Sequence, residues 1–339
     1  MSAYRSVNTK VPYRIDIHHH VLPRFFFETL ERADITSTLG MLGSGWTLEA
    51  HLKVMDKNKI AAGLASIPTG FYFENQTVAR DLARRSNEYL AGLCRRHPTR
   101  FGALAALPLP DVDGALAEAA YALDTLHLDG VALVSNVAGH YVGDAQNEAL
   151  FAELNRRRTV VFVHPGDPPD TGIPASILYP IDMALETVRA VMSLLYGGVF
   201  ERYPHIRFIF AHCGGITPYL AQRIARGATW APGEGGPDPG GLDPVPEEAR
   251  EAQAIGLLQR QYYDSMTANA ATGLRTLQAF VDPRHILFGS DYAALPARYQ
   301  PLKMRELRRY PGFDERTRLD VERGNALRLF PRLEEVVAS

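Results

Sequence analysis

The sequence has little cysteine, no long apolar run and almost no net charge. Only Cys94 and Cys213 occur among 339 residues, so no disulfide framework is predicted and a reducing compartment fits. The formal net charge of −2 provides no basic surface for nucleic acid or for a membrane. No run reaches transmembrane length, and the first residues lack the apolar segment of a signal peptide. We therefore expect a cytoplasmic protein without nucleic-acid or membrane partners.

Short apolar runs recur along the chain, and amphipathic stretches separate several of them. Most of the runs are continuously apolar, which is typical of parallel strands covered on both faces. The candidate strands are Arg14–His18, Ala61–Ile67, Phe101–Leu107, Gly130–Val134, Val160–His164, Arg207–His212, Gln261–Ser265 and His285–Asp291. Two of the intervening stretches begin at Asp111 and Asp144, a residue type that favours helix N-caps.

This alternation of strands and helices predicts an α/β protein, a (β/α)8 TIM barrel in a single domain of residues 1–339. A doubly wound open sheet is the alternative, but no G-x-G-x-x-G motif follows an early strand. Residues 231–246, APGEGGPDPGGLDPVP, are too rich in glycine and proline for a regular element and are predicted to form a mobile loop. The terminal GNALRLFPRL is predicted to pack a last helix against the barrel.

Three consecutive histidines end the first candidate strand, in RIDIHHH. In an extended chain His18 and His20 project to one face and His19 projects to the other. An H-x-H pair at a strand end can hold a metal with two imidazoles. Taken alone the pair is weak evidence, because short histidine clusters also occur on surfaces.

Other strand ends add side chains of the same chemistry. The carboxyl ends of barrel strands converge on one mouth, so His164, His212 and Asp291 are expected to join His18 and His20 there. Imidazole and carboxylate suit a borderline divalent cation such as Zn²⁺, with positions left for water and substrate. The remaining histidines are predicted to be solvated or structural: His19, His51, His97, His127, His140, His205 and His285.

Four motifs in this order, IDIHHH, VFVHP, FIFAHCGG and ILFGSD, resemble the amidohydrolase superfamily. The resemblance extends from Asp16 to the terminal GNALRLFPRL and is strongest to the branch of metal-dependent, non-oxidative decarboxylases. Within that branch the H-x-H is similar to the aminocarboxymuconate-semialdehyde decarboxylase type, and the whole chain is most similar to the 6-methylsalicylate decarboxylases. The resemblance implies that the metal ligands are His18, His20, His164 and Asp291, and that His212 is catalytic or contacts a ligand.

The resemblance also implies a reaction, the decarboxylation of an ortho-hydroxy aryl carboxylate such as 6-methylsalicylate. A single divalent ion is expected, Zn²⁺ first and Mn²⁺ second, without an organic cofactor. Asp291 is the first candidate to carry a proton to the ring carbon, and His212 is the second. The alternative is a single-metal hydrolase of a small cyclic ester or amide, because hydrolases share this scaffold and these residues.

A pair of metals bridged by a carboxylated lysine is disfavoured. The chain has five lysines, and none ends a predicted strand at the barrel mouth: Lys10, Lys53, Lys57, Lys59 and Lys303. A structural zinc is also disfavoured, because such sites are usually closed by four protein ligands, often cysteines. The sequence therefore favours a single metal in an open site.

Further residues are candidates for substrate binding. Arg223, on the helix expected after the sixth strand, can grip a substrate carboxylate with two hydrogen bonds or face a helical neighbour. The resemblance allows such an arginine to come from a second subunit, so a homodimer is expected. An aromatic wall in the predicted βα loops would favour a small aromatic carboxylate; its candidates are Trp46, Phe71, Tyr72, Phe73 and Tyr292.

Overall fold

A computed structural model describes residues 12–35, 45–68, 70–168, 175–229, 247–266 and 270–334. The predicted mobile loop, residues 231–246, lies outside these ranges. Eight parallel strands follow one another around a single sheet in chain order. They are β1 (Arg14–His20), β2 (Ile60–Ser66), β3 (Phe101–Ala106), β4 (Gly130–Val134), β5 (Val160–His164), β6 (Arg207–Phe210), β7 (Tyr262–Asp264) and β8 (Ile286–Leu287).

The sheet closes on itself where β8 meets β1. The amide of Ile17 donates a hydrogen bond to the carbonyl of Phe288 at 3.0 Å, and the amide of Asp291 donates to the carbonyl of His18 at 2.9 Å. A parallel bridge also joins His19 to Tyr292. The first and last strands of the sheet are therefore neighbours, which confirms the predicted barrel and excludes the doubly wound sheet.

Helices cover the outside of the barrel. In the described residues the α-helices are α1 (Arg24–Arg32), α2 (Leu48–Lys57), α3 (Gln76–Arg96), α4 (Val112–Ala120), α5 (Glu148–Arg156), α6 (Ala175–Tyr196), α7 (Val199–Arg202), α8 (Thr217–Gly227), α9 (Glu247–Gln259), α10 (Ala270–Phe280), α11 (Gln300–Arg309), α12 (Glu315–Leu319) and α13 (Asn325–Leu329). As predicted, Asp111 caps α4, because its side chain accepts from the amide of Gly114. Asp144 precedes a short 3-10 turn, and its side chain makes no capping hydrogen bond. Within the same ranges, no helix combines the length and apolar character needed to cross a bilayer.

Two apolar clusters form the core. The larger one fills the space between the outward faces of the strands and the helices. The smaller one lies inside the barrel, where Ile15 and Ile17 of β1 pack with Phe162 of β5. Leu329 and Phe330, at the end of α13, belong to this inner cluster. The terminal segment therefore packs its last helix against the barrel, as predicted.

An irregularity in β1 changes which side chains face inward. The pairing of β1 with β2 shifts between Asp16 and His19. Ile17 belongs to the inner cluster, and the ring of the next residue, His18, lies 4.9 Å from that of Phe162 in the same cluster. Such a shift lets two successive residues face inward, which a regular strand does not allow. The strand thereby places apolar residues and then histidines on one face.

A buried ion pair ties the terminal segment to the start of β1. Glu322 accepts hydrogen bonds from Arg14 Nε at 2.8 Å and from the Tyr13 hydroxyl at 2.7 Å. Both charged side chains are almost completely buried. We expect Glu322→Ala to destabilise the protein by about 3–5 kcal/mol, because the Arg14 charge would stay buried without its partner. Denaturant unfolding measures the loss, and Glu28→Ala, which removes the partner of the exposed Arg24, should change little.

Candidate metal centre

The predicted site residues meet at the carboxyl ends of the strands. His18 and His20 end β1, His164 ends β5, and His212 and Asp291 lie just beyond β6 and β8. The candidate ligand atoms of four of them, His18, His164, His212 and Asp291, all lie within 4.8 Å of one another. His20 Nε2 lies 3.1 Å from His18 Nε2 and 3.2 Å from Asp291 Oδ1. The barrel thus brings together every residue predicted for the metal and the proton.

Hydrogen bonds fix the orientation of three of these rings. His18 Nδ1 contacts Asp264 Oδ2 at 2.5 Å, His20 Nδ1 contacts the Ser66 hydroxyl at 3.1 Å, and His164 Nδ1 contacts the Pro165 carbonyl at 2.8 Å. In each ring Nδ1 is engaged away from the cluster and Nε2 is left for it. Such partners orient imidazole ligands in metal sites.

Asp264 and Ser66 were not predicted as site residues from the sequence. Both residues end strands, β7 and β2, and that position is the signal that could have identified them. Gly289 makes room for the contact between His18 and Asp264, because a Cβ there would lie 2.9 Å from the Cβ of His18 and 3.0 Å from that of Asp264.

Three buried polar atoms of the cluster have no hydrogen-bond partner among the described residues: His164 Nε2, His212 Nδ1 and Asp291 Oδ1. A buried polar atom without a partner costs free energy, so such atoms usually face a ligand, water or ion. An imidazole nitrogen and a carboxylate oxygen are both ligands that divalent transition metals accept. The residues present therefore fit a metal ion.

The charges of the cluster agree with this fit. Burial lowers the pKa of His20, and it lowers that of His164 well below the ordinary value, so both rings are neutral. Burial alone would raise the pKa of Asp291, but the charge of His18 and the neighbouring imidazoles of His20 and His212 hold it well below its usual range. Burial alone would also lower the pKa of His18, but Asp291 and Asp264 raise it to about 10. The cluster thus favours a positive charge at His18, which a metal ion can provide in place of a proton.

The backbone is strained where it delivers two of the side chains. His212, Cys213 and Asp291 have φ of 56°, 57° and 57°, in the left-handed region that non-glycine residues seldom adopt. Hydrogen bonds hold these turns: the amide of Cys213 donates to Asp264 Oδ1 at 3.0 Å, and that of Asp291 donates to the His18 carbonyl. Strain of this kind concentrates at functional sites.

A cavity of about 200 Å³ opens onto the cluster. His164, His212 and Asp291 form one wall of it, and most other lining residues are apolar or aromatic: Ile35, Pro68, Phe71, Tyr72, Val134, Ala138, Pro165, Met183 and Ala294. Asn136 and Asp167 supply polar groups. Pockets of this composition bind small apolar ligands with a few oriented polar contacts.

The predicted substrate contacts divide into two groups. Phe71 and Tyr72 line the cavity, but Trp46, Phe73 and Tyr292 are not among its lining residues. Trp46 and Tyr292 contact His51, while Phe73 is buried in the outer core. Arg223 is exposed on α8 and does not line the cavity either. The aromatic contacts of the cavity therefore come from the loop after β2.

A fully buried carboxylate beside the cavity was also not predicted from the sequence. Glu186 of α6 accepts hydrogen bonds from the Ser135 hydroxyl at 2.9 Å, from the Asn136 amide at 2.6 Å and from the Tyr141 hydroxyl at 3.0 Å. It fastens the segment after β4 to α6 and fixes the Asn136 side chain at the cavity wall. No local pattern in the sequence distinguishes this glutamate from others in amphipathic helices.

Comparison with known proteins identifies the family. The amidohydrolase family model matches residues 15–332. The chain belongs to the amidohydrolase family. It is 34% identical over 331 residues to a 6-methylsalicylic acid decarboxylase of Penicillium expansum, an alignment that covers 96% of this chain and 98% of the relative. The family assignment made from the four sequence motifs is confirmed.

Solved structures of other proteins share the fold. A 2,6-dihydroxybenzoate decarboxylase complexed with 2,6-dihydroxybenzoate superimposes with a TM-score of 0.75 at 21% identity, covering 94% of this chain and 99% of that one. A dihydroxybenzoic acid decarboxylase from Polaromonas sp. JS666, with bound manganese and the inhibitor 2-nitroresorcinol, gives a TM-score of 0.74 at 19% identity, covering 94% and 97%. At these identities the likeness establishes the barrel architecture.

Asp264→Asn is expected to weaken Zn²⁺ binding by about 10–100-fold. Asparagine keeps the oxygen that accepts from the amides of Cys213 and Met266, but it turns an NH₂ group towards His18 Nδ1. His18 would then carry its proton on Nε2, the atom that a metal ion in this cluster would need. Competition with a chromophoric chelator measures the affinity, and Asp282→Asn, at the opposite end of β8, is the matched control. Unchanged affinity in Asp264→Asn would contradict this role.

Proposed function

We propose that this protein is a metal-dependent, non-oxidative carboxy-lyase that decarboxylates an ortho-hydroxy aryl carboxylate of the 6-methylsalicylate or salicylate type. The observation that carries the proposal is the buried cluster of imidazoles and a carboxylate that opens onto an apolar and aromatic cavity. Similarity to a 6-methylsalicylic acid decarboxylase over nearly the whole length of both chains supports it.

His18, His20, His164 and Asp291 would hold a single divalent ion, Zn²⁺ in the first place and Mn²⁺ in the second. The unpartnered buried atoms of His164 and Asp291 and the neutral rings of His20 and His164 support this assignment. When bound, the ion supplies a Lewis acid that stabilises negative charge on the substrate carboxylate and on the adjacent phenol oxygen. The manganese in the Polaromonas structure supports a site that also accepts Mn²⁺. No organic cofactor is required.

The chemistry requires a proton before CO₂ can leave. Direct loss of CO₂ from an arene would leave an aryl carbanion, and the described cavity offers no group that delocalises it. Protonation of the ring carbon that bears the carboxylate avoids this species. The bond between that carbon and the carboxylate then breaks, its electron pair restores the aromatic ring, and CO₂ departs. In total, the carboxylate anion consumes a proton and yields the arene and CO₂.

Asp291 is the first candidate to deliver this proton, and His212 is the second. Both side chains line the cavity, and His212 Nε2 lies 3.5 Å from Asp291 Oδ2. Because the pKa of Asp291 is held well below its usual range, its carboxylate is ionised in the free protein. His212 is therefore the group that can pass a proton to Asp291, or directly to carbon. The apolar wall beside them favours a flat ring over water.

We also propose a homodimer in which Arg223 reaches the substrate carboxylate in the neighbouring subunit. Arg223 is exposed on α8, one helical turn after Tyr219, whose side chain is 81% exposed. Ile181 and Ile216 are exposed large apolar residues on α6 and before α8. Such residues favour a partner surface. If Arg223→Ala leaves substrate affinity and turnover unchanged, Arg223 has no such role.

The deciding experiment offers the zinc-loaded protein a panel of hydroxybenzoates together with small lactones and cyclic amides. With 6-methylsalicylate or salicylate in ²H₂O we expect release of CO₂ and a single deuterium at the carbon that lost the carboxylate. An isomer with the hydroxyl para to the carboxylate should react poorly, because it cannot offer two adjacent oxygens. Efficient hydrolysis of a lactone or amide, with no CO₂ from any carboxylate, would favour the hydrolase instead.

A further inference from the structure

Four side chains form a continuous hydrogen-bonded row behind the cluster. Trp46 Nε1 lies 2.9 Å from His51 Nδ1, and His51 Nε2 lies 2.7 Å from His19 Nε2. His19 Nδ1 lies 2.8 Å from Asp16 Oδ2. Asp16, His19 and His51 have no exposed surface. We call these four residues the buried row.

The chemistry of these groups allows only one direction for the hydrogen bonds. The indole nitrogen of Trp46 only donates, so His51 Nδ1 accepts and the His51 proton is on Nε2. His51 Nε2 then donates to His19, which must accept at Nε2 and carry its own proton on Nδ1. His19 Nδ1 finally donates to the Asp16 carboxylate. Both imidazoles are therefore neutral, each in a defined and different tautomer.

The Asp16 end of the row holds the backbone on both sides of Asp291. Asp16 Oδ1 accepts from the amides of Ser290 at 3.0 Å and His18 at 3.2 Å, and Oδ2 accepts from the Ser290 hydroxyl at 2.5 Å. The Ser290 hydroxyl also accepts from the amide of Tyr292 at 3.2 Å. Asp16 thus connects two elements: the left-handed turn at Asp291, and β1, the strand that carries His18.

The surroundings of the row leave space for it. The register shift in β1 brings Asp16 and His19 into contact although they are three residues apart. A Cβ at position 63 would lie 2.5 Å from the His19 ring, so Gly63 is needed for His19 to fit. The Tyr292 ring packs 4.8 Å from that of His51. The row is therefore enclosed by its neighbours and reaches a loop residue, Trp46, at its far end.

We propose that Trp46, His51 and His19 are positioning residues, which act through Asp16 to hold Asp291 and His18 in the geometry that binds the metal. None of the three lines the cavity or belongs to the cluster. The proposal rests on the metal site assigned under the proposed function. It gives a role to Trp46 and His51, which the reaction itself does not use.

The tautomers provide the first test. In zinc-loaded protein with ¹⁵N-labelled histidine, we expect the His51 signals to report a proton on Nε2 and those of His19 a proton on Nδ1. Trp46→Phe keeps an aromatic ring but removes the donor, so His51 should become a mixture of tautomers and the His19 signals should shift. A His51 proton on Nδ1 in the unsubstituted protein would overturn the proposal.

Metal affinity provides the second test. His51→Leu interrupts the row, and we expect it to weaken Zn²⁺ binding by about 10–100-fold, as loss of such supporting contacts does elsewhere. His51→Gln can accept from Trp46 and donate to His19, so it should restore most of the affinity. A residue needed only for packing would not show this rescue. His285→Gln, which replaces a histidine at the opposite end of the barrel, should bind Zn²⁺ normally.

Neither measurement depends on the reaction that the protein catalyses. If His51→Leu binds Zn²⁺ as tightly as the unsubstituted protein, the positioning role is wrong even if the enzyme is a decarboxylase. If His51→Leu does not fold, the tautomer measurement on Trp46→Phe still decides. If the expected tautomers and the rescue are observed but no carboxylate loses CO₂, the row is supported and only the proposed reaction fails.

Discussion

Asp291→Asn is expected to lower kcat for aryl carboxylate decarboxylation by about 10³-fold or more, because it removes a proposed metal ligand that is also the first candidate for the proton carrier. Asparagine nearly matches aspartate in size, so the barrel should remain intact. Its neutral amide, however, can neither carry the proton to carbon nor supply the negative charge that the carboxylate places 3.1 Å from His18 Nε2. Release of CO₂ by zinc-loaded protein measures the effect.

Asp113→Asn changes an exposed aspartate in the first turn of α4, and its turnover should match that of the unsubstituted protein. Zinc content measured on the same samples separates the two roles of Asp291. If Asp291→Asn retains zinc and loses turnover, proton delivery is its main contribution. Turnover within a few-fold of normal would remove Asp291 from the mechanism.

The barrel could be predicted because its strands are marked by their own residues. β4 and β5 have the predicted bounds, since buried parallel strands are apolar on both faces and end at a change in composition. β8 was predicted to run to Asp291 but ends at Leu287. The chain beyond it must bend so that Asp291 reaches the cluster, and the left-handed conformation at Asp291 is part of that bend. No residue type in ILFGSD indicates that the backbone bends here or that Asp291 is left-handed.

The candidate metal ligands could be predicted because residues at the carboxyl ends of different barrel strands meet at one mouth. Asp264 and Glu186 were missed because their importance comes from contacts across the barrel rather than from a local pattern. Trp46 was predicted in the cavity wall but does not line the cavity. The sequence could not decide this, because an aromatic side chain in a loop can turn either towards a pocket or towards the core. The hydrogen bond from Trp46 to His51 turns the indole away from the cavity, and no sequence pattern links these two residues.

Double substitution of His18 and His20 by alanine is expected to abolish tight metal binding and, with it, all measurable turnover. The Nε2 atoms of His18 and His20 lie 3.1 Å apart. Asp291 Oδ1 lies 3.1 Å from the first of them and 3.2 Å from the second. Without both imidazoles, only His164 and Asp291 of the four proposed ligands remain. Two ligands are fewer than the three protein ligands typical of catalytic zinc. Metal analysis of protein purified without chelator should find about one ion per chain before substitution and almost none after it.

The same measurement also tests the single-metal assignment. His205 and His285 lie outside the cluster, so a matched double substitution of these two by alanine should retain the ion and the turnover. Chelator treatment of the unsubstituted protein should abolish turnover, and added Zn²⁺ or Mn²⁺ should restore it, because either ion can act as the Lewis acid. Two tightly bound ions per chain would contradict the single-metal site, and full turnover in metal-free protein would contradict the proposed mechanism.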